Sequence, residues 1–169
     1  MLETFAAWLA GTPLSAFVAN QAWVVPTVQT VHILAVATVM GAVVIVHLRV
    51  LGIVERRQSI GSLAARFVLP SAAAIVILAI TGFLMIAGEP TRAIFRYVFW
   101  AKMGLLLTVI GLTAALLGGL KASGVTDDAQ RPVPLPYQAL AILALLIWVA
   151  IIVAGRWIGY AQGWPGSPQ

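Results

Sequence analysis

Apolar positions in this chain gather into four long runs, about Val24 to Val54, Phe67 to Ala87, Tyr97 to Leu120 and Tyr137 to Tyr160. A helix needs roughly 20 apolar residues to cross a bilayer, and each run reaches that length. Most polar positions fall between the runs, and none of the runs carries Asp or Glu. Proline and glycine punctuate the pattern. Pro26 lies in the first turns of the first run, where proline is tolerated. An interfacial start at Ser62 can extend the second, and Pro70 predicts a kink early in it. Gly118 and Gly119 predict the end of the third, and the Pro-rich stretch Arg131–Pro136 leads into the fourth. Ahead of them, Leu2–Ala10 and Leu14–Ala22 predict two short interfacial helices broken at Gly11 and Pro13, with Trp8 and Trp23 at headgroup level. The expected fold is all-α: one membrane domain over residues 1–169, a four-helix integral membrane bundle preceded by short interfacial helices.

Composition agrees with that pattern. The 169 residues are 62% hydrophobic and 9% charged, with a mean hydropathy of +1.02. Soluble domains carry about a quarter charged residues. Having no cysteine, the chain can form no disulfide, thiolate metal site or iron–sulfur ligation of its own. The net charge of +5 does not point to nucleic acid, because the cations stand mostly at the ends of apolar runs, where they anchor helices. The N-terminal stretch lacks a basic region and is acidic at Glu3, so it does not read as a cleaved signal peptide. Six cations (Arg49, Arg56, Arg57, Arg66, Lys121 and Arg131) fall on one side of the predicted bundle. Four (Arg92, Arg96, Lys102 and Arg156) fall on the other. The positive-inside rule then places both termini outside, in the periplasm for a multi-pass protein of a bacterial inner membrane.

Ionisable groups within spans are rare and usually face a site. His32 and His47, the only histidines, both lie in the first run. Their separation of 15 residues brings them within about 60° of one helical face. The same separation puts them ~22 Å apart along the axis. They therefore suit two sites, one near each surface, rather than one shared ion. His32 shares its level with Lys102 and Arg156, near Arg92, Arg96, Tyr97, Trp100, Trp157 and Tyr160.

Imidazole is a common axial ligand of haem iron. A porphyrin between helices also needs small neighbours and cations for its propionates. Ala35, Val39 and Val43, or Gly82 and Gly104, leave room. Arg92, Arg96 or Arg156 suit the propionates at the His32 level. His47 is a second candidate ligand, with Arg49, Arg56 or Arg57 as its cations. Met85, Met103, Lys102, an open position or a histidine of another subunit would complete the iron. Simpler readings stand beside these. A lone intramembrane histidine often only hydrogen-bonds a neighbouring helix. Lys102 can snorkel to the surface, the arginines can be topology anchors, and the methionines can be core. The pairs Gly111 with Ala115, Ala114 with Gly118 and Ala115 with Gly119 suit helix packing. Ser71, Thr81 and Thr108 have no base or acid at a spacing that implies a nucleophile, and no phosphate-loop pattern occurs. Copper held by His32, His47, Met40, Met85 and Met103 stays open, although the methionines are scattered.

The segments Thr30–Gly52 (TVHILAVATVMGAVVIVHLRVLG) and Tyr97–Leu107 (YVFWAKMGLLL) resemble a group of bacterial four-helix membrane proteins of undefined function. That group shows a histidine early in helix 1, a mid-helix glycine, and a basic residue with Leu-Gly at its end. More distantly, the segments look like the membrane protoporphyrinogen oxidase (HemJ-like) and CopD copper-resistance families. In the oxidase family the functional residues are an early histidine and a lysine opening a later helix, and the protein binds haem b. The resemblance carries these to His32 and Lys102, and the arginine closing the first motif to Arg49. The leading expectation is therefore a b-type haem protein in electron transfer or quinone-linked redox chemistry. Its sites are His32, His47, Lys102, Arg156 and Arg96, with the bilayer, a quinone or a redox subunit as partners, in a homo- or hetero-oligomer. The alternatives are a cofactor-free accessory or anchor subunit of a larger complex, and a small copper transporter.

Overall fold

The computed structural model describes residues 1–158 and Tyr160, and its described residues form seven helices. These are α1 (Leu2–Ala10), α2 (Pro13–Asn20), α3 (Val24–Val50), α4 (Ile60–Gly88), α5 (Pro90–Ile94), α6 (Tyr97–Ala122) and α7 (Leu135–Trp157). The four long ones, α3, α4, α6 and α7, are long and apolar enough to span a membrane. The chain is a multi-pass membrane protein of all-α architecture.

Where the helices stop is set by backbone conformation rather than by loss of apolar character. The first run was expected to reach Val54, but α3 closes at Val50 because Gly52 takes φ +70°. Ile53 N–H then bonds Leu48 O and Gly52 N–H bonds Arg49 O, a Schellman closure that turns the chain out of the helix. α6 ends in the same way. It runs through Gly118 and Gly119, the expected stop, and closes only at Gly124 (φ +67°), with Val125 N–H on Leu120 O and Gly124 N–H on Lys121 O. Gly119 has a packing role instead, since a Cβ there would stand 2.6 Å from Cε1 of Tyr137 on α7. α4 starts earlier than the apolar run suggested. Ser59 caps it by accepting Ser62 N–H at 3.2 Å, and the helix continues past Pro70. α7 starts from Pro134 with Pro136 in its first turn and ends at Trp157. Gly159, inside the expected fourth run, lies outside the described residues. The five-residue α5, with Arg92 bridged to Glu89 at 2.9 Å, has no counterpart in the sequence reading.

Four apolar clusters fix the arrangement. At one end, Val50 of α3, Ile60 of α4, Leu116 and Leu120 of α6, Val125 and Ala141 of α7 pack together. The last turn of one helix thus meets the first turn of the next, which makes the spans alternate in direction. This end is called the His47 side. The opposite, His32 side is covered by Ala6 of α1, Ile94, Phe95 and Ile86. α1 and α2, bent by 69° to each other, lie there against α5 and the end of α4. Between the two ends, Ala35 and Val39 of α3 pack with Ala74 of α4, and Trp148 of α7 reaches the same cluster. Small residues at this seam let the α3 and α4 backbones approach closely. A fourth cluster joins Val109 of α6 to Ala144 and Ile151 of α7.

The bundle is therefore two helix pairs, α3–α4 and α6–α7, meeting along α3 and α7. α4 and α6, which would close the ring, have no Cα atoms within 8 Å of each other. The remaining surface is apolar: no more than 28% of any span's apolar window is buried within the chain. Side chains such as Leu34, Leu69, Val76, Leu107 and Leu146 face outward, into lipid or another subunit.

Candidate functional site

His32 stands eight residues into α3, Thr81 seven residues before the end of α4, and Lys102 five residues into α6. At 1.5 Å rise per residue these depths are about 12, 10 and 8 Å, so the three form one layer on the His32 side. His32 Nδ1 lies 2.7 Å from Oγ1 of Thr81, and that hydroxyl lies 2.6 Å from the Ile77 carbonyl. A hydroxyl has one proton, and the carbonyl can only accept, so Thr81 gives its proton to Ile77 and accepts from His32. The imidazole thus carries its proton on Nδ1, and Nε2 has a free lone pair. The buried Thr81 anchors the ring across 49 residues of sequence, and Gly82 beside it lies beneath Cε1, 3.7 Å from where a Cβ would stand.

The half-buried Lys102 makes no hydrogen bond or ion pair among the described residues. Its Nζ rests on α7, 3.6 Å from where a Cβ of Gly155 would stand, and its charge bears on the His32 imidazole. His32 thus faces α4, and α4 and α6 have no Cα atoms within 8 Å of each other. The other cations of this side are less concentrated than their sequence positions suggested. Arg96 donates through Nη1 to the Ile158 carbonyl and ties the start of α6 to the end of α7. Arg92 pairs with Glu89. Arg156 is exposed, 5.9 Å over the Tyr160 ring. Trp100 Nε1–H bonds Ile94 O at 2.9 Å, which holds α5 to α6.

His47 differs in almost every respect. It is 2% exposed, and its Nδ1 donates to Val43 O, one turn back in its own helix, at 2.8 Å. Its Nε2 is buried with no partner. Of the cations expected at this level, Arg49 and Arg56 each bond backbone carbonyls. Arg49, 4% exposed, donates Nε–H to Gln58 O at 2.8 Å and Nη2–H to Ala129 O at 3.1 Å, so it stitches the α3–α4 loop to the α6–α7 loop. Arg56 donates to Gly52 O, and Arg57 is exposed.

Two residues gain weight that sequence reasoning did not give them. Thr81 read only as a hydroxyl without a base; its i, i+1 pairing with Gly82 near a helix end was the available signal. Trp148 was unremarked. Its indole packs one turn from His32, beside Ala35 and Val39, and its Nε1–H is buried with no partner. Met85 and Met103 are both half-buried. Among the described residues, no three His, Cys, Asp or Glu side chains converge on one point.

The chain belongs to DUF6644, a family of unknown function, whose profile matches residues 9–161. Neither a curated protein nor a solved structure matches it at a significant level.

Proposed function

We propose that this member of DUF6644 is a bacterial cytoplasmic-membrane redox protein that holds one b-type haem through His32 and exchanges electrons with a quinone or a partner subunit. The observation that carries the reading is the proton count at His32. Thr81 takes the Nδ1–H, which leaves the Nε2 lone pair free on a half-buried ring. Histidines that bind metals typically donate their other ring N–H to a carboxylate, a backbone carbonyl or water, and the Thr81 hydroxyl is an acceptor in that position. A porphyrin brings four nitrogens of its own, so one or two protein ligands suffice, and a convergent protein ligand set is not required. Bound haem would supply one-electron chemistry at iron.

The residues around His32 suit that group. Gly82 and Gly155 let the His32 ring and the Lys102 side chain lie close against α4 and α7, and Lys102 and the exposed Arg156 are cations suited to propionates. Arg96 has N–H groups left after its bond to Ile158. The likeness of Thr30–Gly52 and Tyr97–Leu107 to the HemJ-like oxidases, which puts His32 and Lys102 at functional positions, points the same way. The excess of cations on the His47 side argues for that side facing the cytoplasm.

One observation favours a second reading, a cofactor-free anchor subunit. The His32–Thr81 bond also serves to join α3 to α4, and the apolar flanks leave ample surface for other subunits. Copper transport has less support, because among the described residues no three His, Cys, Asp or Glu side chains converge on one point. An absorption spectrum of the purified protein, expressed with ample haem and recorded oxidised and then reduced, separates the first two. The haem reading expects a Soret band that shifts on reduction. A spectrum without one, from folded protein, removes it.

A further inference from the structure

A concavity lined by arginines lies away from both histidines. On the His47 side a cavity of about 350 Å³ opens to the surface between the end of α3, the start of α7 and their loops. Arg49, Gly52, Arg56, Gln130, Arg131 and Gln138 line it. That volume is at the low end of the ~300–1,000 Å³ of ligand pockets, enough for a small head group. Three arginines are among its lining residues, and no Asp or Glu is. The acids of this side are held by other groups, with Asp128 at the cavity's edge on the backbone of Gln130. Glu55 accepts from Gln58 Nε2 at 3.1 Å, Asp128 accepts Gln130 N–H at 2.8 Å, and Asp127 lies by Gly61. Among the described residues none of them forms an ion pair with the three arginines.

The cations are also partly fixed in place. Arg49 is nine-tenths buried and locked by two loop carbonyls through Nε and Nη2, so its remaining edge is presented without further ordering. Arg56 is steadied through Nε on Gly52 O, which leaves both terminal nitrogens. Arg131 lies against Gly124, with Nη1 3.0 Å from where a Cβ there would stand, so the glycine that ends α6 also makes room for this guanidinium. Arginine forks match phosphate oxygens in pairs. The cavity stands where α3 ends and α7 begins, at the depth of lipid head groups, and basic pockets between spans are known to take anionic lipid heads.

We infer that this cavity is a binding site for a phosphate-bearing anion, gripped by Arg56 and Arg131 against the fixed Arg49. An anionic phospholipid and free phosphate share that chemistry, and the test separates them. Wild type, Arg56→Gln/Arg131→Gln and the charge-matched control Arg57→Gln/Lys121→Gln are reconstituted with phosphatidylglycerol and phosphatidylcholine. Retained lipid is then read by native mass spectrometry, and thermal stabilisation by inorganic phosphate is measured in detergent. Retention of phosphatidylglycerol by wild type and control, weakened about fivefold for each cavity arginine removed, identifies a lipid ligand. Stabilisation by inorganic phosphate, lost in the cavity variant alone and without lipid retention, identifies a free anion. Equal behaviour of the cavity variant and wild type, or an equal loss in the control, overturns the site. Both cavity substitutions are at exposed positions. Circular dichroism checks folding, and each single variant replaces the double one should it fail to fold.

Discussion

His32 and His47 sit on one helix, and each donates Nδ1–H and leaves Nε2 free, yet their surroundings are opposite. His32 bonds to a different helix, is half-buried, and lies in reach of an unpaired cation. His47 bonds to its own backbone and is sealed, and the arginine nearest in sequence is spent on loop carbonyls. A free lone pair is useful only where a ligand can reach it. At His32 the ring is half-buried, whereas at His47 the lone pair is enclosed by the packing that closes the bundle. The difference separates a side chain oriented for something else from one absorbed into the fold.

The largest test of that contrast replaces each histidine in turn. His32→Ala should lose nearly all haem per folded protein, read from the Soret absorbance, while a change at His47 should leave haem content unchanged. The reverse result would exchange their roles. Next in size is Arg49→Gln, which strips two charge-assisted hydrogen bonds from buried loop carbonyls and should lower stability by about 3 kcal/mol, measured by SDS unfolding. Arg49→Lys should recover little of it, because an ammonium cannot span both carbonyls in the guanidinium's geometry. Full rescue by lysine would return Arg49 to the simple topology anchor of the sequence reading.

The spans were legible because a bilayer demands long apolar runs, and no tertiary contact is needed to see them. The helix ends were less so. Gly118–Gly119 and Gly124 are all glycines, and only the backbone at Gly124 takes positive φ. At Gly119 the missing Cβ instead admits Tyr137, a partner from another helix. The shared level of His32, Lys102 and Arg156 could be counted from run boundaries. That Lys102 lies against Gly155, and that Thr81 sets the His32 tautomer, depends on helix rotation and pairing, which an almost uniformly apolar sequence barely encodes. Arg49 shows the same limit: position marked it as a cation for a ligand, and two loop carbonyls made it a strut.

Thr81→Val tests the orientation directly and removes only the hydroxyl. If the bond to His32 merely joins α3 to α4, its loss should cost about 0.6 kcal/mol of stability, as for an average hydrogen bond between membrane helices. If Thr81 holds a ligating imidazole, haem affinity should fall ~10–100-fold, the usual effect of losing such a partner. The two magnitudes differ enough for a haem titration to choose between them. An unchanged affinity would detach Thr81 from the site and weaken the case for His32 with it.

The smallest effect is expected at His47→Leu, and it is informative because it is small. The substitution removes an Nε2 that is buried without a partner, and such a group costs ~1–3 kcal/mol when left unsatisfied. It also removes the Nδ1–H bond to Val43 O, but that carbonyl keeps its bond within the helix. Leucine fills a similar space in an apolar cluster of the kind formed by Val50, Ile60 and Leu120 nearby. The balance should leave stability unchanged or raised by up to ~1 kcal/mol, with haem content untouched. A loss of more than ~2 kcal/mol would mean that Nε2 has a partner in the folded protein, such as a buried water. A loss of haem would mean that the partner is iron, and the contrast between the two histidines would give way to a two-haem protein with one site near each surface.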